Sequence, residues 1–306
     1  MSAPTPSPTG EQWHLSAGSD ELVVVEVGGG LRTWTRDGVD VLAGYAADAP
    51  CTSGRGQQLI PWPNRIRDGL YSRDGVEHQL PLTEVEHSNA SHGLVRWAPW
   101  RLVERTASSV TVGHRLFPQP GWDWHLESTT TYAVAPDGLT VTVRVANVGQ
   151  GVAPFGYGAH PYVAIGDAPV EDVEVGIPGA TWVEVDERLI PTATHPVDGS
   201  PFDFRAPRAI GTRRLDTAYT DLEVVDGRWT VTVTTPGRGS VDVWADAEAL
   251  PWAQVFSGKA EAGQSGEHGI AVEPMTCPPD AFRSGDSLLE LGPGEAWTGT
   301  WGISPR

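Results

Sequence analysis

Cysteine is scarce in this sequence, since Cys51 and Cys277 are the only two among 306 residues. Two thiols cannot form a disulfide framework for a chain of this length, which favours a reducing compartment and therefore the cytoplasm. The sequence contains no run of about 18 apolar residues that could span a bilayer. Basic residues are few as well: 21 lysines and arginines against 39 aspartates and glutamates give a net charge of −18. Such a surface repels phosphates and anionic lipids, so neither nucleic acid nor membrane is expected as a partner.

The sequence also lacks any stretch of ten or more residues with a helical stripe of apolar positions. Instead, short segments alternate apolar with polar residues or concentrate valine and threonine, as strands do. These segments are 21–27, 109–116, 126–134, 139–146 and 229–235. Turn-forming glycines, prolines and aspartates separate them, which predicts an all-β chain. Residues 1–12 are rich in proline, serine and threonine and are predicted to be a disordered leader, followed by one domain over 13–306.

Several common catalytic signatures are missing. The sequence has no G-x-S-x-G elbow, no P-loop, no Rossmann glycine fingerprint and no H-E-x-x-H helix. His87 and His92 lie five residues apart, but a lone pair without nearby ligands is a weak zinc signal. Neither a cofactor nor a metal ion is therefore expected.

Ionisable residues are instead set among glycine, proline and aromatic residues in four short segments. Rigid, loop-like backbone of this composition holds side chains at fixed positions in a cleft. The four segments are 56–71, 89–96, 155–162 and 270–276.

These segments resemble the aldose 1-epimerase, or galactose mutarotase, family. The resemblance rests on P-W-P-N-R-I at 61–66, His-Gly at 92–93, His-Pro-Tyr at 160–162 and Glu-Pro-Met-Thr at 273–276. The segment 215–222 matches a further family motif of the type D-x-A-[FY]-T. The motifs follow the family's order and extend over more than two-thirds of the chain. The resemblance implies a galactose-mutarotase-like β-supersandwich with a sugar cleft across one sheet.

The resemblance also implies the roles of individual residues. Glu273 would be the general base at the anomeric hydroxyl, and His160 would be the general acid at the ring oxygen. His92 would form a hydrogen bond close to the same oxygen or to the anomeric centre. The substrate-binding positions would be Arg65, Asp216, Asn89 and Tyr162.

Independently of the resemblance, mutarotation itself requires one general acid and one general base. One proton must leave O1 and another must reach O5, with no transfer of electrons or groups, so a carboxylate and an imidazole suffice. Ordinary pKa values favour an ionised Glu273 and a protonated His160 in mildly acidic solution, whereas neutral His160 with protonated Glu273 is the alternative with the same net ionisation. The expected partner is a small aldose such as glucose or galactose, and the protein would be a monomer or a homodimer.

Each assignment has a structural alternative. Glu273 could be a salt-bridged strand end and His160 a structural histidine, whereas Arg65 could pair with Asp68 at the surface. Asp216 could cap a turn.

Other side chains and functions also remain open. Arg55, Arg67 and Arg96 are expected to be solvated or structural, although an arginine in the cleft could bind phosphate or sulfonate. Trp62 and Trp122 are expected in the core, with stacking on a sugar as the alternative. Competing functions are sugar binding without turnover, mutarotation of a phosphorylated or sulfonated hexose, and glycoside hydrolysis, which needs two carboxylates.

Overall fold

The computed structural model describes residues 7–258 and 269–306. Of the predicted leader, residues 1–6 lie outside the described residues. Residues 7–12 correct that prediction, because the Val27 amide donates to the Thr9 carbonyl and the Glu26 amide to that of Glu11. Thr9 is buried. Backbone pairing therefore attaches the chain to the fold from about residue 9, ahead of the predicted boundary.

The first large sheet of the described chain is antiparallel and has nine strands. Its strands alternate buried and partly exposed residues, most regularly in the segment Leu126–Ala135, as expected for a sheet with one face on the core. In spatial order the strands, numbered along the chain, are β10 (Arg101–Arg105), β11 (Ser109–Leu116), β12 (Leu126–Ala135), β13 (Gly138–Asn147), β27 (Ala296–Pro305), β23 (Gly239–Asp246), β22 (Arg228–Thr235), β17 (Glu174–Gly176) and β20 (Arg208–Ala209).

The second large sheet, of eight strands within the described residues, carries the candidate site. Strand β25 (Gly269–Met275) lies in its middle and pairs with three strands, all antiparallel: β24 (Trp252–Phe256), β15 (Gly158–Ala159) and β16 (Tyr162–Ala164). In spatial order the strands are β19 (Pro191–Pro196), β18 (Gly179–Val185), β21 (Asp216–Leu222), β24 (Trp252–Phe256), β25 (Gly269–Met275), β15 (Gly158–Ala159) and β5 (Gln58–Leu59), with β16 (Tyr162–Ala164) also on β25.

Smaller sheets and short helices complete the described part of the chain. The first four strands form one sheet: β1 (Gln12–Ala17), β2 (Asp20–Val25), β3 (Leu31–Arg36) and β4 (Val39–Asp40). The two-stranded ribbons are β6 (Arg65–Arg67) with β9 (Asn89–Ser91), β7 (Leu70–Arg73) with β8 (Val76–Gln79), and β14 (Ala153–Phe155) with β26 (Leu289–Leu291). The helices are the four-residue α1 (Ala281–Ser284) and the 3-10 turns Val85–His87 and Val170–Asp172. None of the helices in these residues is long or apolar enough to cross a membrane.

The two large sheets share one hydrophobic core. Buried hydrogen bonds connect them across it: Gln58 of β5 donates to the Tyr132 hydroxyl of β12, and the Trp301 indole of β27 donates to the Tyr157 hydroxyl. Tyr157 in turn donates to the Gln58 carbonyl oxygen, so the polar groups satisfy one another. The all-β sandwich predicted from the sequence is confirmed.

Candidate active site

A cavity of about 240 Å³ opens beside the eight-stranded sheet, on the scale of one monosaccharide. Its walls combine acidic, basic and hydroxyl-bearing side chains, so it presents hydrogen-bond donors and acceptors from several directions. The lining residues are Ser53, Asn64, Arg65, Thr83, Glu84, Ser91, His92, Arg96, His160, Tyr162, Asp216, Phe256 and Glu273. Six of the seven residues that the sequence predicts for the site are among them.

Glu273 reaches this cavity because of its position in strand β25. Side chains alternate between the two faces of a strand, and Ile270 and Val272 point into the main core. Glu273 therefore projects from the opposite face, although it remains buried. Its Oε2 atom has no hydrogen-bond partner within residues 7–258 and 269–306. The carboxyl is thus neither at a strand end nor held in a salt bridge with an arginine side chain there.

His160 lies between β15 and β16, and its neighbours hold its ring. The imidazole stacks on Tyr162 with centroids 4.9 Å apart and an interplanar angle of 9°. On another side Gly54, with φ of 72°, leaves room for the ring, because a Cβ there would lie 3.1 Å from His160 Cδ2. His160 is buried, and its Nδ1 atom has no partner in the described part of the chain.

His160 Nε2 lies 3.4 Å from Glu273 Oε1, so the two groups form an acid–base pair. Burial raises the pKa of Glu273 well above its ordinary value, and the negative charge of Asp216 adds to this. Burial, and then the positive charge of Arg96, lowers the pKa of His160 to about 3. Both shifts favour neutral groups, so the free protein keeps the shared proton on Glu273, the reverse of the ionisation that ordinary pKa values predict.

His92 is held in one tautomer by its backbone partner. The Asn64 amide donates to His92 Nδ1 at 3.1 Å, and the His92 amide donates to the Asn64 carbonyl at 2.7 Å. Both residues have positive φ, of 55° for Asn64 and 60° for His92, which brings these groups face to face. Because Nδ1 accepts a hydrogen bond, the neutral ring carries its proton on Nε2. Burial also lowers the pKa of His92, so this ring is a neutral hydrogen-bond donor.

Arg65 is the first residue of β6 and forms a bidentate salt bridge with Glu84. Its Nε and Nη2 atoms donate to the two carboxylate oxygens of Glu84 at 2.8 and 3.0 Å. Nη2 also lies 3.7 Å from Asp216 Oδ2. The alternative that Arg65 pairs with Asp68 at the surface is wrong, because Asp68 pairs with Arg188 instead.

Asp216 begins strand β21 and does not cap a turn. It accepts a 2.5 Å hydrogen bond from Gln254 Nε2. Gln254 is buried and lies directly opposite Glu273 in the pairing of β24 with β25. Gln254 therefore holds Asp216 from the strand next to Glu273, and nothing in its sequence context indicated this.

Asn89 and Tyr162 differ in their relation to the cavity. Asn89 does not line it: its side-chain amide donates to Glu84 Oε2 and to the Arg188 carbonyl, so it supports Glu84 from behind. Its predicted substrate contact stays a prediction, for which this position behind Glu84 offers no direct support. Tyr162 lines the cavity beneath His160, and its hydroxyl donates to the Ser53 carbonyl.

The remaining candidates lie elsewhere in the fold. Trp62 and Trp122 are buried in the core, as expected. Burial raises the pKa of Cys277 to about 12, as for a packed thiol. In the described chain His87 lies near Glu84 and Glu86, which is the arrangement closest to a metal-ligand cluster. Both oxygens of Glu84 are engaged by Arg65, however, so this cluster is a poor metal site.

The fold and the cavity together define a class: a β-sandwich protein with an acid–base cleft for a small polar molecule. The chain belongs to the aldose 1-epimerase family, whose sequence model matches residues 11–304. This is the family that the sequence motifs indicated.

Relatives cover the chain to different extents. The protein YihR of Escherichia coli K12, described as uncharacterized, is 35% identical over 289 residues, which are 94% of this chain and 91% of YihR. Human galactose mutarotase is 33% identical over 165 residues, 50% of this chain and 46% of that protein. An aldose epimerase homologue from C. elegans has a TM-score of 0.82 at 16% identity, covering 96% of this chain and 99% of its own. This structural likeness supports the β-supersandwich fold.

Proposed function

We propose that this protein is an aldose 1-epimerase that interconverts the α and β anomers of a free aldose such as glucose or galactose. The observation that carries the proposal is the pair of His160 Nε2 and Glu273 Oε1, 3.4 Å apart at the wall of a cavity. One proton acceptor and one proton donor are all that opening of a hemiacetal requires.

The reaction begins with the shared proton on Glu273. Its transfer across the 3.4 Å gap to His160 produces a carboxylate and an imidazolium. Glu273 then removes the proton from O1 while His160 protonates O5, so the C1–O5 bond breaks and the open-chain aldehyde forms. Rotation about C1–C2 presents the other face of the carbonyl. O5 attacks C1 and the two protons return, which gives the other anomer and restores the pair.

The other cavity residues would hold the sugar during this sequence. Asp216, with its remaining carboxylate oxygen, and Arg65 offer contacts to ring hydroxyls near Glu273. His92, fixed with its proton on Nε2, donates to an oxygen near the ring oxygen or the anomeric centre. Because Asn64 and Glu84 hold these groups before the sugar arrives, binding requires little reorganisation.

The experiment follows fresh α-D-glucose and α-D-galactose to anomeric equilibrium by NMR. We expect the protein to accelerate the approach without moving the equilibrium. Glu273→Gln and His160→Asn should each lower kcat by about 10²–10⁴-fold, the usual contribution of a positioned acid or base. The matched controls are Glu21→Gln and His14→Asn, which make the same replacements at exposed positions.

Two outcomes would contradict the proposal. Binding of aldoses without acceleration of any of them would favour a sugar-binding protein without turnover. Release of monosaccharide from a disaccharide would favour glycoside hydrolysis, for which Glu273 and Asp216 would be the two carboxylates.

A further inference from the structure

The hairpin between β18 and β19 carries Arg188 at its tip, outside the cavity. The carboxylate of Asp186 accepts hydrogen bonds from the backbone amides of Arg188 and Ile190, at 2.9 and 3.0 Å. The Leu189 amide donates to the Asp186 carbonyl, and Leu189 itself has a φ of 62°. These bonds close a defined turn, so the hairpin presents Arg188 in a fixed orientation.

Arg188 contacts a neighbouring segment with both its side chain and its backbone. Its Nε donates to the His87 carbonyl at 2.9 Å, and its Nη2 donates to the Ser88 carbonyl at 2.9 Å and to Asp68 Oδ1 at 2.7 Å. The carbonyl of Arg188 accepts a 2.9 Å hydrogen bond from the side-chain amide of Asn89. Arg188 therefore binds three consecutive residues that lie 99–101 positions away in the sequence.

The turn that Arg188 holds is poorly packed. The 3-10 turn Val85–His87 has no buried residue, and Val85 is 77% exposed. The ends of the segment pair with each other, because the Asn89 amide donates to the Glu84 carbonyl and the Glu84 amide donates to that of Asn89. A segment with few apolar contacts moves easily unless hydrogen bonds fix it. Arg188 therefore fixes this turn against the large sheet.

Glu84, at the base of this turn, connects it to the cavity. Asn89 Nδ2 donates to Glu84 Oε2 at 3.1 Å as well as to the Arg188 carbonyl, so one amide joins the hairpin tip to the carboxylate. The same carboxylate accepts both hydrogen bonds that orient Arg65. A continuous series of polar contacts thus leads from Arg188 through Asn89 and Glu84 to Arg65.

We propose that Arg188 is a positioning residue for sugar binding, which acts through Glu84 to hold the Arg65 guanidinium ready for the substrate. This inference rests on the proposed function, in which Arg65 contacts ring hydroxyls. Arg188 itself lies outside the cavity, so it is not a catalytic residue.

The contribution of Arg188 should be to binding and not to the chemical step. Without its contacts the turn moves, Glu84 moves with it, and Arg65 loses its fixed orientation. The sugar must then order Arg65 as it binds, which lowers the affinity. His160 and Glu273 stand on and between strands of the large sheet, so their proton transfer does not depend on the turn.

The test compares Arg188→Gln with the control Arg205→Gln, using NMR of anomeric exchange in the aldose that the wild type accelerates most. Arg205 likewise forms salt bridges, with Asp198 and Asp203, but it is exposed and lies away from the cavity. Arg188→Gln should raise KM by about 3–10-fold, the effect of ordering one side chain, with kcat and its pH profile unchanged. Arg205→Gln should keep the wild-type KM and kcat.

A double variant separates a route through Arg65 from a general effect on the fold. In the Arg65→Ala background, Arg188→Gln should have no further effect on KM, because the group that Arg188 positions is already absent. Arg188→Lys should give an intermediate KM, since an ammonium keeps the charge but cannot match the fork of contacts to His87, Ser88 and Asp68. This variant also serves if Arg188→Gln does not fold.

The outcomes separate the two proposals. An unchanged KM in Arg188→Gln with the circular dichroism of the wild type would overturn the role of Arg188, and so would a loss of kcat at unchanged KM. Multiplied effects of Arg188→Gln and Arg65→Ala on KM would overturn the route through Arg65.

The behaviour of the wild type tests the function itself. Wild-type protein that binds an aldose without accelerating its exchange would contradict only the mutarotase function, and the dissociation constant from NMR titration would then replace KM in the comparison. Wild-type protein that neither binds nor accelerates any aldose would overturn both proposals.

Discussion

Replacement of His160 by asparagine should make the protein less sensitive to acid. The pKa of His160 is lowered from 6.5 to about 3, so the unfolded chain binds a proton there between these pH values and the native protein does not. The free energy of unfolding therefore decreases as the pH falls through this window, by about 1.4 kcal/mol per pH unit for one group. His160→Asn removes this contribution. Between pH 5 and pH 4 the wild type should lose about 1.4 kcal/mol more than the variant.

Urea denaturation followed by tryptophan fluorescence at pH 5 and pH 4 measures this difference. Glu273 does not interfere in the comparison, because its raised pKa keeps it protonated in the native state and its unfolded-state titration is common to both proteins. The control His14→Asn changes an exposed histidine and should keep the wild-type pH dependence. Equal pH dependence in wild type and His160→Asn would refute the argument that the native protein holds His160 neutral.

Further predictions concern catalysis. Arg65→Ala should raise KM by about 10–100-fold, measured from initial rates, because it removes charge-assisted contacts to the sugar; an unchanged KM would contradict this. kcat/KM should fall at acid pH, where His160 gains a proton, and at alkaline pH, where Glu273 loses the proton that it shares with His160. If the fall at acid pH remained in His160→Asn, it would not be caused by protonation of His160. Gly54→Ala should lower kcat by displacing the His160 ring, whereas Gly75→Ala, with similar φ and open space around it, should not. Exhaustive dialysis against EDTA should leave the rate unchanged, because neither proton transfer needs a Lewis acid; recovery of lost activity with a divalent ion would contradict this.

The strands could be predicted from the sequence because the alternation of apolar and polar side chains is a local signal. The predicted segment 109–116 coincides with β11, and 139–146 falls one residue short of β13 at each end. The segment 21–27 extends two residues beyond the end of β2 at Val25. After Val25 the chain turns, with positive φ at Gly28 and Gly29. The alternation of apolar and polar side chains continues up to this turn, so it does not indicate where the strand ends.

The site was partly accessible for a different reason. Glu273, His160, His92, Arg65 and Asp216 stand in motifs, and the structure brings them to one cavity, while their catalytic and binding roles stay predictions.

The motifs could not predict side-chain contacts between residues that are distant in sequence. Glu84 lies in a segment without a motif, and only the fold brings it to Arg65. The position of Asn89 behind Glu84 was not predictable either, because a polar residue beside a motif can face the cavity or support it from behind. The protonation of the pair depends on burial, which no local pattern reveals.

The division of the cavity between two structural units has a consequence for protein engineering. The proposed proton-transfer groups stand on and between strands of the large sheet, whereas Arg65, Glu84, His92 and Arg96 come from β6, β9 and the loops around them. Libraries confined to residues 83–96 could therefore change which sugar is accepted and leave the proton-transfer pair intact. By the same separation, natural substitutions in residues 83–96 would change the substrate that is bound while the proton-transfer residues stay the same.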